Sequence, residues 1–441
     1  MAAQPWADRR VHFIGIGGCG MSGLALVAHA RGAQVSGSDQ LEGPYLDRLR
    51  RCGIDIHVGH DARNVGDGER VDLVVSSAIP LGNVERQHGR QRHLREYHRT
   101  EFLVELVQDQ RCIAVAGTHG KTTTSAMIVH ALRGAGERVD YIIGGDIIST
   151  ELNAEWDNSD WVVVETDESD RSLLSISPDI AVLTNVEWDH VDTFDSLGAV
   201  EEVFREFLSH AKIAVVQDRP QVRALRRGSC LPVRQPSSQL HSGGSQFTWR
   251  GHEVELPVVG QHNVLNAATA LEGVHAMGAD AVLAAKSMAE FSGVARRFEY
   301  LGKTPSGAML YDDYAHHPSE VAATLEGART LCPDRLVAVL RPWGLSRTQK
   351  MAEAYGDALR LADLVVVLNV AGGTPDFSTQ AAAAMLIVDA AVDVMPERPI
   401  RRIPEPEAVV KFLGTQLGAG TLCVTLGCRD VADLLLHNQA T

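Results

Sequence analysis

Short apolar runs alternate along the chain with stretches in which apolar residues recur every three or four positions. Residues 11–16, 34–37 and 72–76 are strand-like, and a stretch of helical period follows the first of them up to position 31. The same alternation returns at 112–116, 161–165 and 180–184, with a helical run at 122–133. Continuous apolar strands separated by helices are typical of parallel sheets that helices cover on both faces. The pattern therefore predicts an α/β architecture.

A third block repeats this alternation after residue 298. Its strand-like runs are 309–312, 336–341, 364–370 and 422–426, and a hairpin turn is indicated at Pro305-Ser306-Gly307 before the first of them. We therefore predict three α/β domains, at residues 1–105, 106–297 and 298–441. Within the second, residues 234–246 are rich in Ser, Gln and Gly and are predicted to form a loop.

Composition narrows the classes of partner. The 441 residues carry 41 Lys and Arg against 56 Asp and Glu, a net charge of −15, which disfavours nucleic acid and anionic membranes because like charges repel. The apolar runs fall short of the roughly 18 residues that a membrane span needs, so we expect no membrane insertion. Seven scattered cysteines without a C-x-x-C motif favour the reducing cytoplasm over a disulfide framework.

A first glycine-rich turn lies between a strand-like run and a helical run. Gly15-Ile16-Gly17-Gly18-Cys19-Gly20 fits G-x-G-x-x-G, and Asp39 ends the next strand-like piece. Such glycines let a phosphate approach the backbone amides at the positive end of a helix. The motif leaves open a nicotinamide enzyme and a glycine turn that only packs helix on strand.

A second turn, Gly117-Thr118-His119-Gly120-Lys121-Thr122-Thr123, is more specific. It departs from G-x-x-x-x-G-K-[ST] only in that Val115 occupies the first glycine position. Backbone amides, the Lys121 ammonium and a hydroxyl would converge there on a phosphate chain and its Mg²⁺. We therefore predict a binding site for a nucleoside triphosphate.

Acids and histidines follow later strands of the same block. Glu165 ends one strand-like run, and Asp189-His190 comes after the next, so in a parallel sheet both fall at the edge that carries the phosphate loop. A carboxylate and an imidazole there predict a metal site. The other acids of the run 165–170 are interpreted as solvated surface.

In the third block, residues 312–318 (Asp-Asp-Tyr-Ala-His-His-Pro) lead from a strand into a helix. They predict substrate contact or proton transfer, with satisfied loop residues as the alternative. Arg296-Arg297 could clamp a phosphate or pair with surface acids.

Taken in order, these motifs resemble those of the Mur ligases of peptidoglycan precursor synthesis, most of all their alanine-adding branch. The similarity covers residues 11–330 densely and the remainder loosely. It is carried by residues 15–23, 36–39, 76–79, 98–101, 117–124, 165–170, 185–193, 261–266, 293–298 and 312–318.

The resemblance implies a Rossmann-like first domain that holds the UDP of a sugar nucleotide, a central P-loop ATPase-like domain, and a Rossmann-like third domain that receives the amino acid. It displaces the nicotinamide interpretation of the first glycine turn. It implies that ATP and Mg²⁺ drive the joining of an amino acid, L-alanine in that branch, to the lactyl carboxylate of UDP-N-acetylmuramate. An acyl phosphate is the implied intermediate, and the step belongs to cytoplasmic cell-wall biogenesis.

The same resemblance assigns roles to individual residues. Those implied for the sugar nucleotide and amino acid are Gly17, Gly18, Asp39, Ser76, Ser77, Tyr314, His316 and Arg347. Those implied for ATP are Gly117, Gly120, Lys121, Thr122, Thr123, Asn263, Arg297 and Asp313. Those implied for Mg²⁺ are Thr122, Glu165 and His190, and the expected catalytic residues are Lys121, His190, His316 and Arg347.

The third block departs from the alanine-adding pattern. Those enzymes show a Gln-Pro-His-Arg run followed by Ser/Thr-Arg, whereas residues 341–347 here read Arg-Pro-Trp-Gly-Leu-Ser-Arg, which lacks the His-Arg pair but keeps Arg347. The acceptor therefore stays open between L-alanine, another amino acid and the tripeptide that the family's recycling ligases use. The alternative outside the enzymes is a sugar-nucleotide-binding protein without catalytic activity. For the oligomeric state, we expect a monomer or a weak homodimer.

Overall fold

The computed structural model describes residues 6–66, 70–225, 230–372 and 376–437. The N-terminal part forms a five-stranded parallel sheet in the order β3-β2-β1-β4-β5. Its elements are β1 (Arg10–Ile14), α1 (Cys19–Ala30), β2 (Gln34–Asp39), α2 (Pro44–Arg51), β3 (Asp55–Val58), β4 (Asp72–Val75), α3 (Val84–Gln91), β5 (Glu96–His98) and α4 (Arg99–Val107). The strand order reverses beside β1, which is where α/β sheets open a crevice at their carboxyl edge.

The next part forms a seven-stranded sheet in the order β12-β11-β10-β6-β9-β7-β8. Its elements are β6 (Arg111–Ala116), α5 (Lys121–Gly134), β7 (Asp140–Ile147), β8 (Leu152–Glu155), β9 (Trp161–Glu165), β10 (Ile180–Leu183), α6 (Leu197–Ser209), β11 (Ile213–Gln217), α7 (Pro220–Arg223) and β12 (Cys230–Val233). All pairs are parallel except β7 with β8. The carboxyl ends of β6, β9 and β10 therefore share one edge.

A three-stranded antiparallel sheet follows, made of β13 (Ser238–His241), β14 (Gly244–Trp249) and β15 (His252–Leu256). The prediction of a loop at 234–246 is therefore wrong. The strand signal lies in the alternation of Ser245, Phe247 and Trp249, which are all buried, and it extends beyond the polar stretch on which the prediction was based. The helices α8 (Gln261–Met277) and α9 (Ala281–Ser287) come next.

The C-terminal part forms a six-stranded sheet in the order β16-β17-β21-β18-β19-β20, parallel except between β16 and β17. Its elements are β16 (Glu299–Lys303), β17 (Met309–Asp313), α10 (Pro318–Thr330), β18 (Arg335–Leu340), α11 (Leu345–Lys350), α12 (Ala352–Leu359), β19 (Leu364–Val367), α13 (Phe377–Val394), β20 (Ile400–Arg402), α14 (Pro406–Leu413), β21 (Thr421–Leu426) and α15 (Arg429–His437). Leu336 and Ala338 of β18 pack in one core and Val337 and Val339 in the other. Burial on both faces explains why this strand is apolar throughout.

The described chain divides into two compact units. The first comprises Met1–Val186, Glu201–Val233 and Thr269–Ala284, and the second comprises Glu187–Val200, Arg234–Ala268 and Ala285–Thr441. The five- and seven-stranded sheets lie in the first unit, and the three- and six-stranded sheets lie in the second. Three mainly parallel sheets whose strands alternate with helices confirm the predicted α/β fold class. The domain boundaries after residues 105 and 297 stay predictions.

Within the first unit, α1 packs directly on the β7–β8 hairpin. A Cβ on Gly23 would lie 3.1 Å from Asn153 Nδ2 and 3.4 Å from the Ala154 Cβ, so glycine allows this close approach without displacing the hairpin side chains. The buried Asn153 also donates to the Cys19 carbonyl at 2.6 Å. Through α1, the N-terminal part of the first unit packs against the seven-stranded sheet.

Helix α13 is long and apolar enough to cross a bilayer by length and composition alone. Its buried side chains belong to the core of the six-stranded sheet, and they are Ala383, Ala384, Ile387, Val388 and Ala391. A core helix of this kind passes the same test. That the chain has no membrane insertion therefore stays a prediction.

Candidate active site

The first glycine turn is held by the end of the neighbouring strand. The Ser38 carbonyl accepts from the amides of Gly15 and Ile16 at 2.8 and 3.0 Å, and Asp39 Oδ2 accepts from the Gly17 amide at 2.8 Å. Gly15 has φ +82°, which favours glycine. Gly18 is the N-cap of α1 and provides no side-chain cap. The structure thus brings the predicted Gly17, Gly18 and Asp39 together at the carboxyl edge of the first sheet.

Ser76 and Ser77 follow β4 at the same edge. The Ser76 Cβ lies 3.0 Å from the place where Gly15 would carry a Cβ, and Ser77 Oγ lies 3.1 Å from His98 Nε2. His98 Nδ1 accepts from the Thr100 amide in a capping box, so in the neutral ring Nε2 carries the proton and donates to Ser77. The Ser77 hydroxyl hydrogen can then point to a ligand.

The phosphate loop joins β6 to α5 as predicted. Gly117 has φ +134°, and a Cβ there would lie 2.1 Å from Thr184 Oγ1, so only glycine fits. Asn185 Oδ1 accepts from the His119 amide at 2.8 Å, which fixes the middle of the loop. Gly120 is the N-cap of α5 with φ +78°, and Thr123 is half-buried in the first helical turn.

Lys121 folds back onto its own loop and onto a buried acid. Its Nζ lies 2.9 Å from Glu168 Oε2 and donates to the Thr118 carbonyl at 3.3 Å. Burial by itself lowers the pKa of Lys121, but Glu168 and Asp167 more than offset it and hold the pKa above its ordinary value. The interpretation of the run 165–170 as solvated surface is therefore wrong for Glu168, which is 1% exposed.

Thr122 and Glu165 meet beside this lysine. Thr122 Oγ1 donates to Glu165 Oε1 at 3.0 Å, and the Gly144 amide donates to Glu165 Oε2 at 2.6 Å. A Cβ on Gly144 would lie 2.6 Å from Glu165 Oε1, so glycine leaves room for the carboxylate. Two of the three predicted metal ligands are thus adjacent in the first unit.

The third predicted ligand, His190, lies in the second unit with φ +50°, a strained value for a residue with a side chain. Its neighbour Asp189 accepts from the His190 amide and from Arg347 Nε, both at 2.7 Å. Burial opposes ionisation of Asp189, but Arg347 and His190 more than offset it and keep its pKa below the ordinary range. Arg347 is buried too, and its Nη1 donates to the Trp343 carbonyl.

Asp313 ends β17 and is buried. Its two oxygens accept from the amides of Phe298 and Ala315 at 2.8 and 2.7 Å. Burial raises its pKa to about 6, against the lowering effect of Arg297. The guanidinium carbon of Arg297 lies 5.5 Å from the centre of the Tyr314 ring. The predicted Arg297, Asp313 and Tyr314 therefore form one cluster.

His316 has the tautomer that a proton acceptor needs. Its Nδ1 lies 2.8 Å from the Tyr314 carbonyl, which can only accept, so Nδ1 carries the hydrogen and Nε2 has the lone pair. Burial lowers the pKa of His316, which keeps the ring neutral at pH 7. Glu320 helps to hold this turn, because its Oε2 accepts from the His316 amide at 3.1 Å.

Asn263 lies in the first turn of α8 and is engaged locally. Its Nδ2 donates to the Val259 carbonyl at 2.8 Å, and its Oδ1 accepts from Asn266 at 3.3 Å. The predicted approach of Asn263 to adenine stays a prediction.

Comparison with known proteins agrees with this geometry. Family models described as "Mur ligase family, catalytic domain", "Mur ligase middle domain" and "Mur ligase, glutamate ligase domain" match residues 10–111, 115–273 and 296–429. The chain belongs to the Mur ligase family. This confirms the resemblance found in the sequence.

Individual Mur ligases match over nearly the whole chain. A UDP-N-acetylmuramate–L-alanine ligase of Rubrobacter xylanophilus is 39% identical over 440 residues, covering 96% of this chain and 98% of the relative. One from Kineococcus radiotolerans is 40% identical, with 96% and 94% covered. The crystal structure of UDP-N-acetylmuramate-alanine ligase from Thermotoga maritima superposes with a TM-score of 0.83 at 26% identity, covering 97% of each chain.

Two acids hold functional cations of this Mur ligase, and the sequence alone did not predict these pairs. Glu168 holds Lys121, and Asp189 holds Arg347. A sequence signal exists for both, since each follows a strand end at the edge that carries the candidate site. The signal does not say which cation each acid meets.

Proposed function

We propose that this Mur ligase joins L-alanine to the lactyl carboxylate of UDP-N-acetylmuramate, with ATP split into ADP and phosphate, in the cytoplasmic synthesis of peptidoglycan precursors. The observation that carries the proposal is the phosphate loop with Lys121 on Glu168 and Thr122 on Glu165. It occurs in a chain whose relatives, at 36% to 40% identity, are named for this reaction. A silent binding protein would need no such arrangement.

The first chemical step must make a carboxylate electrophilic. A lactyl oxygen attacks the γ-phosphorus of ATP, the bond to the β-phosphate oxygen breaks, and ADP leaves with an acyl phosphate formed. Both reactants are anions, so a cation is needed where their charges crowd together. Lys121, kept protonated by Glu168, supplies it.

The second step forms the amide. The neutral amine attacks the acyl carbon, and the tetrahedral intermediate expels phosphate. An ammonium cannot attack, so a base must first take its proton. His316 suits this role because Nδ1 is fixed on the Tyr314 carbonyl and Nε2 has the lone pair.

Mg²⁺ fits the donor set around Thr122. A hydroxyl and a carboxylate supply the oxygens that Mg²⁺ prefers, and the Gly144 amide already holds Glu165 in place. We infer that Thr122, Glu165 and His190 hold the ion, which would neutralise phosphate charge when bound. The chain contributes a hydroxyl and a carboxylate that are aligned in advance.

Arg347 is the cation that we propose for the carboxylate of the amino acid. Its position is fixed because Nε donates to Asp189 and Nη1 donates to the Trp343 carbonyl. A fixed guanidinium recognises a carboxylate through two parallel hydrogen bonds. The altered residues 341–346 leave the size of the accepted amino acid to be measured.

The deciding experiment measures phosphate release from ATP and Mg²⁺ with UDP-N-acetylmuramate, comparing L-alanine, glycine, L-serine and the tripeptide. Preference for L-alanine supports the proposal. Preference for another acceptor would overturn the acceptor assignment, and no turnover with any of them would favour the silent binding protein.

A matched pair of lysine variants tests the phosphate loop. Lys121→Ala should abolish phosphate release and leave binding of the sugar nucleotide nearly unchanged, because that ligand is assigned to the first glycine turn. Lys212→Ala removes a solvent-exposed lysine on Asp179 and should change neither. Turnover retained in Lys121→Ala would contradict the mechanism.

A further inference from the structure

Residues 342–344 form the turn that places Arg347, and we call them the acceptor turn. The turn leads from β18 into α11, and its Trp343 carbonyl accepts from Arg347 Nη1 at 3.0 Å. Gly344 is the N-cap of α11, with φ +83° and without a side-chain cap. The direction of the Arg347 guanidinium therefore depends on the contacts that hold the acceptor turn from outside.

The support loop, residues 368–372 directly after β19, holds the acceptor turn through its backbone. The Ala371 amide donates to the Pro342 carbonyl, and the Gly344 amide donates to the Ala371 carbonyl, both at 2.8 Å. The two segments thus pair like short parallel strands. A shift of the support loop would therefore shift the turn that places Arg347.

Asn369 anchors the support loop to Arg402, the last residue of β20. Arg402 Nη2 donates to Asn369 Oδ1 at 2.7 Å. β19 and β20 run parallel with Val367 opposite Arg402, so their carboxyl ends bring both side chains to the same edge of the sheet. Asn369 is buried. A side chain from the edge strand of the six-stranded sheet thus fixes the support loop.

The pair is poorly suited to a purely stabilising role. Among the residues that the structure describes, Arg402 has no acidic partner, and Arg402 Nε and Asn369 Nδ2 are buried without a hydrogen-bond acceptor. A half-buried cation without an acid and buried donors without acceptors both lower stability. Such departures from complete pairing are typical of residues that serve the geometry of a functional site.

We propose that Arg402 is a positioning residue for the amino acid. Through Asn369 and the support loop it fixes the acceptor turn, and so the direction in which Arg347 presents its guanidinium. The inference rests on the proposed function for the role of Arg347. A carboxylate takes two parallel hydrogen bonds only from a guanidinium whose plane is fixed, so a small rotation of Arg347 weakens binding of the amino acid. The phosphate loop and the first glycine turn lie in the other unit, and their ligands should not depend on Arg402.

The test is steady-state phosphate release with each substrate varied in turn, using the amino acid that the wild type prefers. Arg402→Ala should raise the KM for the amino acid about tenfold, because one hydrogen bond from a charged donor is lost. The value of kcat and the KM values for ATP and the sugar nucleotide should change far less. Asn369→Ala should have the same effect, and the double variant should be no worse than either single variant. Arg402→Lys keeps one donor and should lie between Arg402→Ala and the wild type.

A second readout asks whether the effect passes through Arg347. Arg347→Lys keeps a cation beside Asp189, but its single nitrogen cannot also serve the Trp343 carbonyl as the guanidinium does. In this background, Arg402→Ala should cause no further rise in the KM for the amino acid, because the acceptor turn no longer holds the cation. A general structural role would add its full effect in both backgrounds.

The matched control is Arg401→Ala. Arg401 is the neighbouring residue on β20, and its exposed side chain donates to the adjacent Ile400 carbonyl. This variant should match the wild type in kcat and in all three KM values.

An unchanged KM for the amino acid in Arg402→Ala would overturn the proposal. Equal rises in all three KM values, or a full additional effect in the Arg347→Lys background, would overturn it too, because Arg402 would then act on the structure as a whole. If Arg402→Ala does not fold, Arg402→Lys and Asn369→Ala decide the same comparison.

Failure of the proposed function gives a different result. If the wild type prefers another amino acid to L-alanine, the acceptor assignment fails, and this inference is decided with that amino acid. If the wild type releases phosphate with no acceptor, the proposed function and this inference fail together. If the wild type turns over and Arg402→Ala has the wild-type KM for the amino acid, only this inference fails.

Discussion

Asp313 should make the second unit less stable as pH rises. It is 7% exposed, and burial raises its pKa from the ordinary 3.8 to about 6 despite Arg297. Between these two values the folded chain keeps a proton that the unfolded chain has lost. Stability is therefore fully present below pH 4 and falls as pH rises through about 6. A shift of about two units at 1.36 kcal/mol each amounts to about 3 kcal/mol lost by pH 8.

Asp313→Asn removes this dependence, because an amide does not titrate. It keeps one oxygen for either the Phe298 or the Ala315 amide and sets an NH₂ group against the other, which costs about 1–2 kcal/mol. We expect the variant to be less stable than wild type at pH 4.5 and more stable by about 1–2 kcal/mol at pH 8. The two stability curves should therefore cross.

The buried cysteines provide the assay. After equilibration in urea, a brief pulse of thiol reagent at fixed pH labels Cys423 only where the second unit has unfolded, and Cys112 reports on the first unit in the same sample. Mass spectrometry of the peptides separates the two. Parallel Cys423 curves for wild type and Asp313→Asn from pH 4.5 to 8, with no crossing, would refute the argument from burial. A variant that is stabilised at pH 8 but slower in turnover would show that the buried acid is kept for function.

Two further variants test the acceptor side. Arg347→Ala should raise the KM for the amino acid far more than the KM for the sugar nucleotide, and it should lower the free energy of unfolding by about 3–5 kcal/mol because it leaves Asp189 buried without its partner. Asp189→Asn keeps the cation and should leave the KM for the amino acid unchanged. If both variants raised that KM equally, the proposed role of Arg347 would be contradicted. His316→Gln should lower kcat by roughly 10²- to 10⁴-fold while hydroxylamine still traps the acyl phosphate. If the amount of trapped acyl phosphate fell by the same factor as kcat, His316 would act in the first step instead.

The sequence was most informative where the chemistry is local. The phosphate loop needs an apolar strand, glycines at positive φ and Lys121 at the start of a helix, and all of these lie within a dozen residues. The uninterrupted apolar run of β18 likewise predicted a strand buried on both faces. Such features depend on backbone geometry and on burial, which neighbouring residues determine.

The partners of the charged groups depend on distant contacts. Glu168 lies 47 residues from Lys121, and Asp189 lies 158 residues from Arg347. Which acid meets which cation is decided by the packing of the sheets, and a sequence run of acids looks the same whether it is solvated or buried. The hairpin at β13 and β14 was missed for another reason. Its alternating buried residues Ser245, Phe247 and Trp249 extend beyond the polar stretch 234–246 on which the prediction of a loop was based.

Three acidic residues from the end of β9 to the 3₁₀ turn at Ser172–Ser175 each hold a different side chain of the first unit. Glu165 holds Thr122, Glu168 holds Lys121, and Asp170 holds Arg99. All three contacts come from six consecutive residues, so one short loop positions the side chains of the phosphate loop and of α4. Glu168 is the acid that faces the buried Lys121. Loss of Glu168 would leave Lys121 without this partner, so its effect should fall on the binding and splitting of ATP and not on the binding of UDP.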